Sequence, residues 1–495
     1  MNMKNVLIAV CLLAASTIQV QAKIERPKLV VGLVVDQMRW DYLYYYYDKF
    51  QEGGLKRLVD QGYSYENTMI DYIPTITAVG HSSIYTGTCP AFHGITGNNF
   101  HVDGKNVYCC TDTNVQGVGS KSKEAQMSPH RLKSTGIGDM LKMATDQKAK
   151  VIGVALKDRA AILPAGFSAD GAYWWDTSAG HFVTSTYYCQ ELPEWVKKIN
   201  KKIGTKPGFD VKSSNMGVTK TFEMAEAAIE NEQMGQDDIT DLLAVSVSST
   251  DVIGHAYGTR GNENEGVYME LDKQLAHFFE ILDSKVGKGN YLLFLTADHG
   301  AEHNHNVLKS HKIPAGGLQT KTFIKEVNKT IGEQLGTSEQ IISDEIAGSV
   351  YLNHSAIEKT GKTVDEVKAM VIAEFNKNPN ILFTVDYNKI LTSPIPQLIR
   401  ERVINGYMPS RSGDLLYIAR EGWENVSNKP DYTGTTHGMW NPSDSHIPFI
   451  LYGWHVNHGE SSEPTKNVDI APTICEMLHI QMPNSCVGNA KLSHK

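Results

Sequence analysis

The stretch Leu29-Val30-Val31-Gly32-Leu33-Val34-Val35-Asp36 is an aliphatic run that stops at a carboxylate. It lacks the alternation of a half-exposed strand, so it predicts a strand buried on both faces. Similar runs cover residues 151–156, 242–247, 291–295 and 447–452, and helical patterns at 54–61, 220–232, 265–286, 364–377 and 468–478 fall between them. Alternating strands and helices predict an α/β fold with a mostly parallel central sheet and helices on both faces.

The residues just beyond these runs are more telling. The first run ends in Asp36, and 151–156 leads into Lys157-Asp158-Arg159. The run 242–247 precedes Asp251 and His255, and 291–295 precedes Asp298-His299-Gly300. Parallel strands present their C-terminal ends at one edge, where ligands bind in open α/β sheets. One Asp after a strand is more often a turn or helix cap than a ligand. Several at one edge, with histidines, point to a site.

The rest of the chain sets limits. Residues 1–22 combine a basic start, a short apolar core and small residues at −3 and −1, and read as a secretory signal peptide. Cys11 does not make it a lipoprotein signal, because bulky Val10 precedes it and the apolar core continues past it. No later stretch reads as membrane-spanning, so residues 23–495 are expected to be periplasmic or secreted, with no stable membrane insertion. Six cysteines lie beyond residue 22; disulfides are possible there, but the pairing cannot be read from sequence. No C-x-x-C pair suggests a cysteine zinc site. The formal charge of −8 gives no support for nucleic-acid binding, though a local field can still capture an anion. The length suits one large domain with insertions or two domains. Polar, weakly periodic segments at 101–129 and 180–218 read as insertions over the sheet edge. Trp174-Trp175 and Tyr187-Tyr188 suit either a cleft wall or the core of an insertion.

Asp251-x-x-x-His255 and Asp298-His299 each offer an oxygen and an imidazole nitrogen, both suitable for zinc. Asp36 adds a carboxylate. His437, in Thr435-Thr436-His437-Gly438, is the best further candidate, and Gly434 and Gly438 allow a tight loop around it. Three Asp and three His suffice for two metals. Either motif alone is more often a surface or capping feature. His81, His93, His303, His305 and His311 are expected in loops or supporting the ligands.

Pro74-Thr75-Ile76-Thr77 leads into a run of small residues, 78–86, that reads as a helix with Thr77 at its N-cap. Thr77 is then simply a cap, or a hydroxyl set where a helix favours negative charge. A bare Thr is a poor nucleophile at neutral pH, and a metal touching it would supply the activation it needs.

Taken in order, Asp36, Thr77, Asp251/His255, Asp298/His299 and His437 resemble the alkaline phosphatase superfamily, from Asp36 to the 468–473 segment. The closest likeness is to its bacterial phosphate-irrepressible alkaline phosphatases, which use Thr. The resemblance implies an alkaline-phosphatase-like three-layer sandwich with insertions over the active-site edge. It implies two zinc ions, one held by Asp251, His255 and His437, the other by Asp36, Asp298 and His299 with Thr77. Asn98, with Asn99 as the lesser candidate, matches a donor to a phosphoryl oxygen. Lys157 and Arg159 match the pair that grips the remaining oxygens, and alternation along a strand end places both on one side.

The implied activity is phosphate monoester hydrolysis of broad specificity through a phosphothreonine at Thr77, by a monomer. Two cations and Asn98 suit a monoester dianion better than a diester. A nucleotide pyrophosphatase/phosphodiesterase shares the zinc ligands and Thr, and is the nearest alternative. A sulfatase is suggested by Cys89-Pro90-Ala91-Phe92-His93, but His93 stands where that family needs Arg. A non-catalytic phosphate- or metal-binding protein is the remaining alternative, and an intact Thr77 argues against it. Other divalent ions would suit the same ligands less well than zinc.

Overall fold

The run 29–35 forms a central strand of a ten-stranded sheet in this computed structural model, which describes residues 24–494. In chain order the strands are β1 (Leu29–Val35), β2 (Tyr63–Tyr65), β3 (Gly117–Val118), β4 (Val151–Ala155), β5 (Gly171–Asp176), β6 (His181–Ser185), β7 (Asp241–Val247), β8 (Tyr291–Thr296), β9 (Phe449–Gly453) and β10 (Gly459–Ser461). Side by side they run β10-β2-β9-β8-β1-β7-β4-β5-β6-β3. The five from β8 to β5 are parallel to their neighbours. In this sheet only β9 and β6 run against the rest. The signal-peptide reading of residues 1–22 lies outside the described residues.

Successive side chains of a strand face opposite sides, and β1 divides its residues accordingly. Leu29, Val31, Leu33 and Val35 enter one core with Phe222, Leu271 and Phe278 of helices Met216–Asn231 and Asn262–Leu282. Val30 and Val34 enter the other with Ile84, Tyr85, Leu141 and Ile474 of helices Thr77–Thr86, Ile137–Ala144 and Ile470–Met477. The result is three layers, helix on sheet on helix. Strands β1, β4, β7 and β8 are buried throughout, as their unbroken apolar runs predict.

Two expectations need correction. The run 447–452 is two strands, because Pro448, lacking an N–H, separates His446–Ile447 from β9. β9 pairs antiparallel with β8; apolarity reports burial, not direction. Of the two readings open for Trp174 and Trp175, the structure shows core packing: they lie on β5 at 1% and 2% exposure. The helix of 364–377, observed as Val364–Phe375, does not cover the main sheet. With helix Thr320–Leu335 it packs on a separate antiparallel sheet of Ile342–Ile346, Ser349–Leu352, Leu415–Ala419 and Ile381–Asp386. This second sheet reaches the first through the hairpin Asn99–Val102/Lys105–Tyr108, where Asp344 accepts from Asn106 at 2.8 Å and pairs with His101 at 3.0 Å. That hairpin falls largely within 101–129. Segment 180–218 holds β6 and helix Glu194–Ile203.

Gly32 lets Tyr85 and Phe294 close over β1: a Cβ there would lie 2.2 Å from Tyr85 Oη and 2.5 Å from Phe294 Cζ. Gly32→Ala should therefore lower the stability of the fold by about 1–3 kcal/mol through overpacking. Equilibrium denaturation measures this, and unchanged stability would contradict the packing described.

Candidate active site

The parallel register brings the chemistry to one edge. Val35 stands beside Val247, Val34 beside Thr296, and Ser246 beside Ala155, so the strand ends are level. Asp36 leaves β1, Lys157 follows β4, and Asp298 follows β8. Asp251 lies in the first turn of helix Ser249–Tyr257, entered from β7. His255 is one turn further along that helix, its Nε2 3.1 Å from Asp251 Oδ1. His437 arrives from a distant loop and stacks on His299 with ring centres 3.5 Å apart. In that loop Gly438 adopts φ +127°, and Gly434 leaves room for the His255 carbonyl, 2.0 Å from where a Cβ would lie.

The histidines are oriented as metal ligands. His255 Nδ1 faces the Thr435 carbonyl at 2.9 Å, His299 Nδ1 that of Gly300 at 2.9 Å, and His437 Nδ1 that of Thr75 at 2.7 Å. A carbonyl only accepts, so in each ring Nδ1 is a donor, and Nε2 is the nitrogen that faces the carboxylates, where a metal would be held. The carboxylates fit the same purpose. Asp36 Oδ1, Asp298 Oδ2 and His299 Nε2 are buried and have no hydrogen-bond partner. Two ligand clusters emerge, Asp251/His255/His437 and Asp36/Asp251/His299. The first is the trio expected from sequence. In the second, Asp251 takes the place expected for Asp298, although Asp298 Oδ2 is 3.3 Å from His299 Nε2. Mixed oxygen and nitrogen donors of this kind suit zinc.

Electrostatics distinguish the three carboxylates. Burial pushes Asp36 well above the usual carboxylate range; Asp298 and Asp251 add to this, and Lys157 opposes it. Burial acts on Asp251 in the same sense, but His255 and Lys157 outweigh it and hold its carboxyl well below the usual range. For Asp298, His299 and His81 likewise overcome burial and lower it. Burial lowers His299 to about 3, against the pull of Asp298. Burial would lower Lys157, but its ammonium lies 2.6 Å from both Asp36 Oδ2 and Asp251 Oδ2, and they raise it.

Thr77 is the first residue of helix Thr77–Thr86, and Ile76 is the cap. Its place therefore differs by one residue from the expected N-cap, and it makes no capping bond. The helix start is pressed onto the β8 end, because a Cβ on Gly80 would lie 2.2 Å from the Asp298 carbonyl oxygen. His81, on the same helix, is buried and sits 3.3 Å from Asp298 Oδ2. Asn98 Oδ1 accepts from Ala78 N at 3.0 Å, which holds its amide beside Thr77. Lys157 and Arg159 do not extend β4, which ends at Ala155: Lys157 caps helix Asp158–Ala165 and Arg159 lies in its first turn. Strand alternation therefore does not account for their placement. Arg159 Nη1 donates to Tyr108 Oη at 3.1 Å, and its buried Nε has no partner.

Sequence reading missed three residues here. Tyr108 steadies Arg159 while donating to Asp158 at 2.8 Å. Asp444 accepts from the backbone N–H of Gly438 and Met439, fixing the loop of His437. Gln37, next to Asp36, donates to Asp251 Oδ1 at 2.8 Å. None sits in a spacing that implies chemistry; only the adjacency of Gln37 to Asp36 was visible. Cys89 is buried with its thiol pushed up to about 11. All six cysteines of the described residues are free thiols.

Comparison with known proteins bears on this geometry. A family described as type I phosphodiesterase / nucleotide pyrophosphatase matches residues 30–440. A protein of Myroides odoratus named calcium-transporting ATPase is 42% identical, over 99% of this chain and 98% of its own. Alkaline phosphatase PafA of Elizabethkingia meningoseptica is 43% identical, over 94% of each chain. A crystal structure of wild-type alkaline phosphatase PafA superimposes with a TM-score of 0.90 at 43% identity, over 94% of this chain and 98% of that one.

Because Asp251, His255 and His437 form one cluster while His299 lies against Asp36 and Asp298, Asp251→Asn and His255→Ala should each lower bound divalent metal by up to about one equivalent. Metal-to-protein ratios after gel filtration test this. Loss of all bound metal in His255→Ala, or no loss in either variant, would contradict two separate sites.

Proposed function

The chain belongs to the type I phosphodiesterase / nucleotide pyrophosphatase family, within the alkaline phosphatase superfamily, and from that membership we propose that Thr77 is the nucleophile of a zinc-dependent phosphate monoesterase. The protein is an enzyme of the alkaline phosphatase type, a phosphate monoester hydrolase. The observation that carries the residue assignment is the convergence of Asp36, Asp251, Asp298, His255, His299 and His437 beside the helix that begins at Thr77.

Thr77 Oγ attacks phosphorus, the bond from phosphorus to the ester oxygen breaks, and the alcohol leaves. A water then attacks the phosphothreonine, releasing inorganic phosphate and restoring the hydroxyl. Two zinc ions, held by Asp251, His255 and His437 and by Asp36, Asp298 and His299, would lower the pKa of the hydroxyl and of water and offset charge on the leaving oxygen. Asn98 Nδ2 is free to donate to a phosphoryl oxygen once Oδ1 is fixed by Ala78 N. Arg159 offers its unpartnered Nε, and Lys157 a buried ammonium. These cations favour a dianion, which carries more charge on its non-bridging oxygens than a diester does. The family's description also names diesterases, so substrate charge is the discriminating variable.

The signal-like start supports an extracytoplasmic location. The name of the Myroides relative refers to transport, but among the described residues no helix is long and apolar enough to cross a membrane.

Thr77→Ala should lower kcat/KM for p-nitrophenyl phosphate by at least about a thousandfold. Lys157→Ala/Arg159→Ala should lower monoester turnover by about a hundredfold or more while affecting bis-p-nitrophenyl phosphate much less. Paired kinetics on both substrates check this. Equal losses would overturn the monoester assignment.

A further inference from the structure

Gln37 is the point at which the ends of β1, β7 and β8 are tied together. It follows Asp36 directly and is buried, with φ +66°, a left-handed conformation uncommon for residues other than glycine. In that conformation its backbone N–H donates to Asp298 Oδ1 at 3.1 Å, and its side-chain Nε2 to Asp251 Oδ1 at 2.8 Å. A carboxylate only accepts, so the amide orientation is fixed by its partner. One residue therefore holds all three acidic ligands: Asp36 through the chain, Asp298 through its N–H, Asp251 through its side chain. A second bond closes the same joint, from Thr250 Oγ1 to the Asp36 carbonyl at 2.6 Å.

The partner helix leaves space for this. Gly254 lies between Asp251 and His255, and a Cβ there would come within 1.9 Å of Gln37 Oε1. The spacing Asp251-x-x-Gly254-His255 thus places two ligands on one helical face and leaves the gap between them for the Gln37 amide. Hydrogen bonds to the non-coordinating lone pairs of a ligand set its direction and the affinity of its site.

We propose that Gln37 is a positioning residue for the metal ligands, orienting Asp251 toward His255 and His437 while it braces Asp298. This inference rests on the zinc-site reading above. It predicts that the sequence Asp36-Gln37 and the glycine of the Asp-x-x-Gly-His helix work as a pair: removing either the amide or the space for it leaves Asp251 Oδ1 without its neutral donor, with Lys157 holding only Oδ2.

The test measures zinc binding by chelator competition on the full chain. The variants are Gln37→Gly, Gln37→Met and Gly254→Ala, and thermal unfolding of the metal-free forms is recorded alongside. Gln37→Gly loses the donor but suits the left-handed backbone. Gln37→Met loses the donor and keeps the volume. Gly254→Ala favours its own helix while displacing the amide. All three should bind zinc about 10–100-fold more weakly at the Asp251 site. In Gln37→Gly and Gly254→Ala the metal-free melting temperature should not fall in proportion. Parent-like zinc affinity in the variants, or affinity that only follows melting temperature, would overturn the positioning role. A parent chain that binds no zinc would instead overturn the zinc-site reading, and this inference with it.

Discussion

Three carboxylates share the buried end of one sheet, and much of the site's architecture answers that electrostatic problem. Asp36, Asp251 and Asp298 are each at most 4% exposed. Uncompensated charge in such surroundings is costly, and buried charges persist when paired or bound to metal. Lys157 touches only two of the three. Asp36 Oδ1 and Asp298 Oδ2 remain without hydrogen bonds, and burial together with its acidic neighbours drives Asp36 toward the neutral form. A pair of divalent cations would resolve all of this at once, and the imidazole Nε2 atoms already face inward to share them.

The scaffold holds the arrangement from several directions. The parallel strands β8-β1-β7-β4 set the height of each ligand. The Thr77 helix is pressed against the β8 end through Gly80, so the elements that carry Thr77 and Asp298 are in backbone contact. The His437 loop is fixed twice, by Asp444 below Gly438 and Met439 and by the Thr75 carbonyl at the imidazole. Thr75 is two residues before Thr77, so the fourth element of the metal centre is tied to the turn that presents the hydroxyl. Arg159 and Asn98 are steadied by the hairpin at 99–108, which the second sheet anchors through Asp344.

Much of this was legible in the sequence, for identifiable reasons. Strands buried on both faces leave an unbroken aliphatic signature, and β1, β4, β7 and β8 were read within a residue or two. Charged groups just after such strands converge by topology alone, which is why Asp36, Lys157, Asp251 and Asp298 could be grouped without coordinates. β5 and β6 were missed because aromatic residues and short polar breaks blur a strand's pattern. The second sheet was missed because a helix such as Val364–Phe375 does not reveal which sheet it covers. Gln37, Tyr108 and Asp444 act through one pair of hydrogen bonds each, mostly to residues remote in sequence, and a lone polar residue carries no such signal.

The central claim is that these six side chains hold two metals beside Thr77. Anomalous diffraction at the zinc edge, from crystals of the protein grown with zinc, tests it most directly. The account predicts two peaks at bonding distance, about 2.0–2.2 Å, one among Asp251, His255 and His437 and one among Asp36, Asp298 and His299, with Thr77 Oγ beside the second. A single peak, or peaks held by other residues, would contradict it.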